Sequence, residues 1–205
     1  MNKRNYQREM ERIITSLGED KVPSLLLHAC CAPCSSYVLE YLSGIVSITV
    51  FFYNPNITQK EEYMKRVEEE KRLIGTLPAV YPITFLEGSY RPEVFFAAAK
   101  GLENEPEGGR RCERCFALRL NETARVAAER GFDLFTTSLT ISPLKNAALL
   151  NEIGEEAAAR YGVRFLNSDF KKKNGYKRSI ELSAEYGLYR QNYCGCIYSK
   201  RDKTD

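Results

Sequence analysis

The sequence predicts an α/β fold, a three-layer, mostly parallel sheet flanked by helices, on three observations. Apolar or β-branched runs of strand length alternate along the chain with amphipathic stretches of ten or more residues, the signature of parallel strands joined by helical crossovers. The composition, 43% hydrophobic and 28% charged over 205 residues, is that of a globular protein with a sizeable core. The strongest apolar run, Leu25-Leu26-Leu27, ends in thiols, a proline and two serines (His28-Ala29-Cys30-Cys31-Ala32-Pro33-Cys34-Ser35-Ser36). That is a strand running into a helix start, with sulfur at the carboxyl edge where open α/β sheets bind ligands.

Each element follows in order. Tyr6, Met10, Ile13, Ile14 and Leu17 recur at spacings of three and four, a helix over 6–17 closed by Gly18. The first strand spans about 24–30. Pro33 suits the first turn of the next helix, which Gly44 ends. Ile45 to Tyr53 is a β-branched and aromatic run and reads as a buried strand broken by Asn54-Pro55-Asn56. Thr58-Gln59-Lys60-Glu61 reads as a capping box opening a helix to Gly75. Val80 to Leu86 is a further strand, which Pro82 confines to an edge or an end. A short helix covers 92–100. The polar loop 103–109 delivers Arg110-Arg111-Cys112-Glu113-Arg114-Cys115 to the head of a long helix. Phe132 to Thr140 is a strand; Ser142 caps a helix with Pro143 at its first position, running to Tyr161-Gly162. Val163 to Leu166 is the last strand. A basic loop, Lys171-Lys172-Lys173-Asn174-Gly175, leads to a helix stopped by Gly187. This order is Rossmann-like, or adenine-nucleotide-hydrolase-like. It reads as one domain over 1–205, with a core of about 20–170 and a basic C-terminal segment, 171–205.

No apolar run approaches the roughly 20 residues needed to span a bilayer, and Met1 to Tyr6 lacks a signal-peptide apolar region. A cytoplasmic protein without a membrane partner is expected. In that reducing compartment seven cysteines do not make a disulfide framework. They fall into three groups, Cys30/Cys31/Cys34, Cys112/Cys115 and Cys194/Cys196, and chelation explains such grouping where core packing does not. A helix running back antiparallel to the strands begins at the edge where strands finish. Cys112 and Cys115 are therefore expected beside Cys30 and Cys31, with the helix's positive end favouring thiolate.

Three chemistries use these thiols. A structural zinc site can be built from Cys31/Cys34 and Cys112/Cys115, two C-x2-C pairs. A thiol–disulfide oxidoreductase can use Cys31-Ala32-Pro33-Cys34, which resembles the thioredoxin-type motif. An iron–sulfur cluster drawing four thiolates from the first two groups, with Cys194-Gly195-Cys196 as a mobile redox pair, is the reading that employs all three groups. An ATP-dependent tRNA-modifying enzyme is disfavoured, because the loop after the first strand has thiols and no glycine where phosphate would sit.

The motifs carry a resemblance. His28-Ala29-Cys30-Cys31-Ala32-Pro33-Cys34-Ser35, Phe51-Phe52-Tyr53-Asn54-Pro55-Asn56-Ile57, Arg111-Cys112-x-x-Cys115-Phe116-x-x-Arg119-Leu120, Thr137-Ser138-Leu139-Thr140-x-Ser142-Pro143-x-Lys145-Asn146 and Tyr189-Arg190-Gln191-x-Tyr193-Cys194-Gly195-Cys196 resemble the QueH family of epoxyqueuosine reductases over roughly residues 24–200. The resemblance implies cobalamin-independent removal of the epoxide oxygen from epoxyqueuosine at the wobble position of tRNA, the last step of queuosine synthesis. It implies a 4Fe-4S cluster on Cys30, Cys31, Cys112 and Cys115, with Cys194 and Cys196 as the redox-active disulfide. Cys34 either replaces one ligand or holds an additional iron beside the cluster. An external electron donor is implied, and no other protein partner.

Net charge is only +3, but from Arg164 onward ten Lys/Arg face five Asp/Glu. With tRNA as substrate, Lys171, Lys172, Lys173, Lys177 and Arg178 are expected to grip phosphates, and Tyr189 or Tyr193 to stack on an extruded base. Asp133, Asp169, Tyr53 and Tyr193 are the candidate proton donors. His28, the one histidine, is expected to be packed in the core.

Overall fold

The computed structural model of the chain describes residues 4–17 and 21–200. Five strands, β1 (Ser24–His28), β2 (Ser47–Phe52), β3 (Thr84–Glu87), β4 (Leu134–Thr137) and β5 (Arg164–Phe165), form one sheet in the order β3-β2-β1-β4-β5. Every pairing is parallel, with Leu26 opposite Thr49 on one side and Phe135 on the other. The α/β expectation holds, and the sheet is wholly rather than mostly parallel. Among the described residues seven α-helices connect and flank the strands: α1 (Tyr6–Thr15), α2 (Ala32–Leu42), α3 (Lys60–Thr76), α4 (Pro92–Ala99), α5 (Arg110–Glu129), α6 (Ala147–Tyr161) and α7 (Gly175–Glu185).

Successive side chains of a strand point to opposite faces, and β1 shows the consequence. Leu25 and Leu27 pack with Met10 of α1, Val38 and Leu42 of α2 and Leu73 of α3. Leu26, between them, packs with Ala124 and Ala127 of α5 and Ala157 of α6. All three leucines are fully buried, as a central strand covered on both faces requires. Strand order reverses at β1, where β2 and β3 lie to one side and β4 and β5 to the other. The crevice beyond the carboxyl ends of β1 and β4 is thus the sheet's switch point.

Several element boundaries differ from the expected ones. Strands are shorter: β4 gives way at Ser138–Ile141 to a 3-10 turn capped by Thr137 Oγ1, which accepts from Leu139 N at 3.1 Å. Ser142 does not cap α6. It is extended, as a residue before proline tends to be, and its hydroxyl accepts from Leu144 N in a tight turn. The cap is Asn146, whose side chain accepts from Ala148 and Leu149 amides. Thr58 makes no capping box; α3 starts after Gln59 without a side-chain cap, because the Thr58 amide is turned to the carbonyl of Gly195 at 3.2 Å. α3 also runs through Gly75 to Thr76. Pro82 precedes β3, an edge strand, as its missing N–H demands. Gly162, at φ +69°, ends α6 where expected, while Gly18 lies outside the described residues. No helix among the described residues is long and apolar enough to cross a membrane.

Candidate metal and redox site

The site grows from the end of β1. Cys31, in extended conformation, precedes α2, and Pro33 lies in that helix's first turn. One turn of helix then brings Cys34 back beside Cys30 and Cys31, and the three sulfurs lie within 4.8 Å of one another, a trio that can hold a metal ion. The loop is fixed from below by Asn54, whose amide donates to the Ala29 carbonyl at 2.8 Å. His28 occupies the core, with Nδ1 3.0 Å from Thr137 Oγ1 and Nε2 3.2 Å from the Tyr53 carbonyl. Burial, and then the Arg119 charge, push its pKa down to about 3. It is a neutral structural link between three strand ends.

The second group arrives on α5. Cys112 stands in the first turn, its sulfur accepting from Gly108 N at 3.2 Å, and packs against the apolar cluster that contains Cys30, Cys31, Phe116 and Leu120. Cys115, one turn on, is buried against Phe95, Ala99 and Cys196. The helix's positive end was expected to favour thiolate here. Instead burial dominates and pushes the Cys115 thiol up to about 12. Within the trio the three sulfurs share their protons. Hydrogen bonds from Cys31 and Cys34 draw Cys30 below the usual thiol range, and Cys31 and Cys34 are driven up.

Two cavities meet at the C-terminal segment. The larger, about 270 Å³, has Cys30, Cys34 and Cys194 on its floor and Lys145, Arg190 and Tyr193 on its walls. The smaller, about 20 Å³, is lined by Cys112, Cys115, Cys194, Cys196 and Arg119. Cys194 belongs to both. Arg119 has no solvent exposure, yet neither terminal nitrogen of its guanidinium has a hydrogen-bond partner. An uncompensated buried cation costs several kcal/mol. Burial alone would lower its pKa, and the sulfurs of Cys115, Cys194, Cys30 and Cys112 outweigh that. Lys145 is held protonated in the same way by Cys194, Cys30 and Cys34. A buried cation and a half-buried one among five of the thiols fit a bound group that keeps several of those thiols ionised, as iron and zinc do. The trio has the closeness that suits a single ion. Cys112 and Cys115 lie outside the trio and line the smaller cavity.

The other expected residues fall as follows. Asp133 lies at the opposite edge of the sheet, accepting from the Ser24 amide and hydroxyl at 2.8 and 2.7 Å, away from the thiols. Asp169 is paired with Lys171 at 2.5 Å and lines a neighbouring cavity beside α6, which shares Lys145 with the thiol cavity. Tyr53 is buried and stacked on Phe51. Tyr193 alone of the four lines the thiol cavity. Of the basic residues, Lys173 pairs with Glu11, Arg178 with Glu40 and Lys177 weakly with Glu181, and Tyr189 bonds to Glu62 at 3.0 Å. Sequence reasoning passed over Lys145, Arg190, Arg66 and Arg119, although Lys145, Arg119 and Arg190 lie within the matched motifs. It also missed Glu70, fully buried with its Oε1 2.5 Å from Ser35 Oγ and Oε2 unpartnered.

Comparison with known proteins supplies the context. The family described as epoxyqueuosine reductase QueH matches residues 25–202. The epoxyqueuosine reductase QueH of Streptococcus pyogenes serotype M1 is 46% identical over 200 residues, covering 96% of this chain and 78% of that protein. The one from Staphylococcus epidermidis is 43% identical, covering 95% and 84%. The one from Thermotoga maritima is 36% identical over 185 residues, covering 89% and 93%.

Proposed function

The chain belongs to the QueH family of epoxyqueuosine reductases and is an oxidoreductase, and we propose that it removes the epoxide oxygen of epoxyqueuosine in tRNA within the cavity floored by Cys30, Cys34 and Cys194. Turning an epoxide into an alkene and water consumes two electrons and two protons. Cys30, Cys31, Cys112 and Cys115 would hold a 4Fe-4S cluster, and Cys34, the remaining thiol of the trio, an additional iron or one of the four cluster positions. The bound group supplies single electrons and, at an iron with an open position, Lewis acidity.

The chain's own residues do the rest. Cys194 and Cys196 store an electron pair as a dithiol, which an external donor restores after each turnover. Arg119 and Lys145 balance the thiolate charge. The Lys145 ammonium and the Tyr193 phenol face the cavity, where either can give a proton to the departing oxygen. Lys145 and Arg190 have no carboxylate partner among the described residues and stand on the cavity wall, with Leu144, 76% exposed, and Tyr176 beside them. They are placed to meet phosphate and base, with Lys172 as a further cation; Lys171, Lys173, Lys177 and Arg178 must first leave their carboxylates.

The observation that carries this reading is the Arg119 guanidinium, its Nε bonded to the Cys115 carbonyl and both terminal nitrogens without a partner, buried among sulfurs from all three cysteine groups. Anaerobically prepared protein should be coloured and contain iron and acid-labile sulfide, and should convert epoxyqueuosine-tRNA to queuosine-tRNA with a strong reductant. Cys194→Ala should abolish turnover and keep its iron. The closeness of Cys30, Cys31 and Cys34 favours one alternative, a lone ion on the trio. A colourless protein holding zinc without sulfide, before and after reconstitution, would establish it instead.

A further inference from the structure

We propose that Arg66 is a positioning residue that fixes Cys194 at the junction of the two cavities, and so sets the reach of the C-x-C pair; this rests on that pair serving the reaction. The pair was expected to be mobile. It is strapped instead to the N-terminal half of α3. Arg66, 1% exposed, donates from Nη1 to the Cys194 carbonyl at 3.2 Å and from Nη2 to the Tyr193 carbonyl at 3.3 Å. Its Nε donates to Glu62 at 2.7 Å, and Glu62 in turn accepts from the Tyr189 hydroxyl. The next carbonyl, that of Gly195, accepts from the Thr58 amide at 3.2 Å. Three consecutive carbonyls are therefore gripped by one helix start.

The grip has a consequence for the sulfurs. Gly195 turns at φ +100°, a conformation that suits glycine, and a Cβ there would lie 2.8 Å from Ile57 Cγ1. With carbonyls held and the turn fixed, Cys194 faces both cavities while Cys196 is 7% exposed and lines the smaller one only. A planar fork donating to two acceptors is a geometry that lysine cannot reproduce.

The test uses the reduced, iron-loaded full chain. In Arg66→Met, alkylation of Cys196 by iodoacetamide, followed by peptide mass spectrometry, should quicken at least about tenfold, since each charge-assisted hydrogen bond lost makes opening of the strap easier. kcat on epoxyqueuosine-tRNA should fall at least about tenfold with KM changed less than about twofold and iron content unaltered. Arg66→Lys should fall between the two and serves the same purpose if the methionine variant does not fold. Unchanged protection of Cys196 would overturn the proposal. So would lost protection with full kcat in the Arg66 variants while Cys194→Ala is inactive, a result that leaves the assigned chemistry standing. An active Cys194→Ala would instead remove the premise itself.

Discussion

Glu70 and His28 carry charge states that burial decides, and they act on stability in opposite directions. Glu70 is raised to about 8, first by burial, with the Ser35 hydrogen bond opposing and the Cys30 charge adding. Below about pH 4.5 folded and unfolded chains both hold its proton and its contribution is intact. As pH rises toward 8 the unfolded chain releases that proton while the folded one keeps it, so stability is lost, by a few kcal/mol at most. Glu70→Gln, which keeps shape and neutrality, should raise the urea midpoint at pH 8 and leave it near wild type at pH 5. Equal effects at both values would show that Glu70 is ionised in place. His28, lowered to about 3, works the other way. Its stability is complete above about pH 6.5 and is lost as pH falls toward 3, because the unfolded imidazole takes a proton the folded one refuses. That His28 would be packed was legible, since it ends an apolar strand. Glu70 was not, because Glu68-Glu69-Glu70 reads as a solvated face until α2 is laid across it.

Among the elements, α6 shows where local chemistry has more than one solution. Ser142-Pro143 and Asn146 both have helix-capping character, and the 3-10 turn after β4 hands the start to Asn146. The delay has a use: the turn from Ser142 to Lys145 carries Lys145 into the cavity wall. Asn146→Ala should cost about 1 kcal/mol, or about 2–4 °C in Tm for a chain of this size. Ser142→Ala should cost distinctly less, and the reverse order in a thermal melt would restore the expected cap. Thr58 was displaced by a comparable competition, its amide serving the Cys194–Cys196 strap. Both misreadings lie next to the thiol cavity, where local preference yields to the geometry of the site.

Over the whole molecule, a net charge of +3 matters less than which cations are free. Reversing both Lys145 and Arg190 to Glu should weaken tRNA binding and lower the slope of log affinity against log salt by about two. Lys173→Glu should change it less, since Lys173 already faces Glu11; an equal or larger effect would return phosphate contact to the basic loop. The sequence by itself determined the alternation of strands and helices, the apolar strand that ends in sulfur and the family, because periodicity and spaced cysteines are properties of neighbours along the chain. Only the tertiary structure decided that Cys34 closes a trio with Cys30 and Cys31, that Arg119 is buried with both terminal nitrogens lacking a partner, and that Arg66 grips the strap. The physical reason is that burial and charge compensation depend on residues far apart in the chain, such as Arg66 and Cys194, 128 positions apart, which only packing makes neighbours.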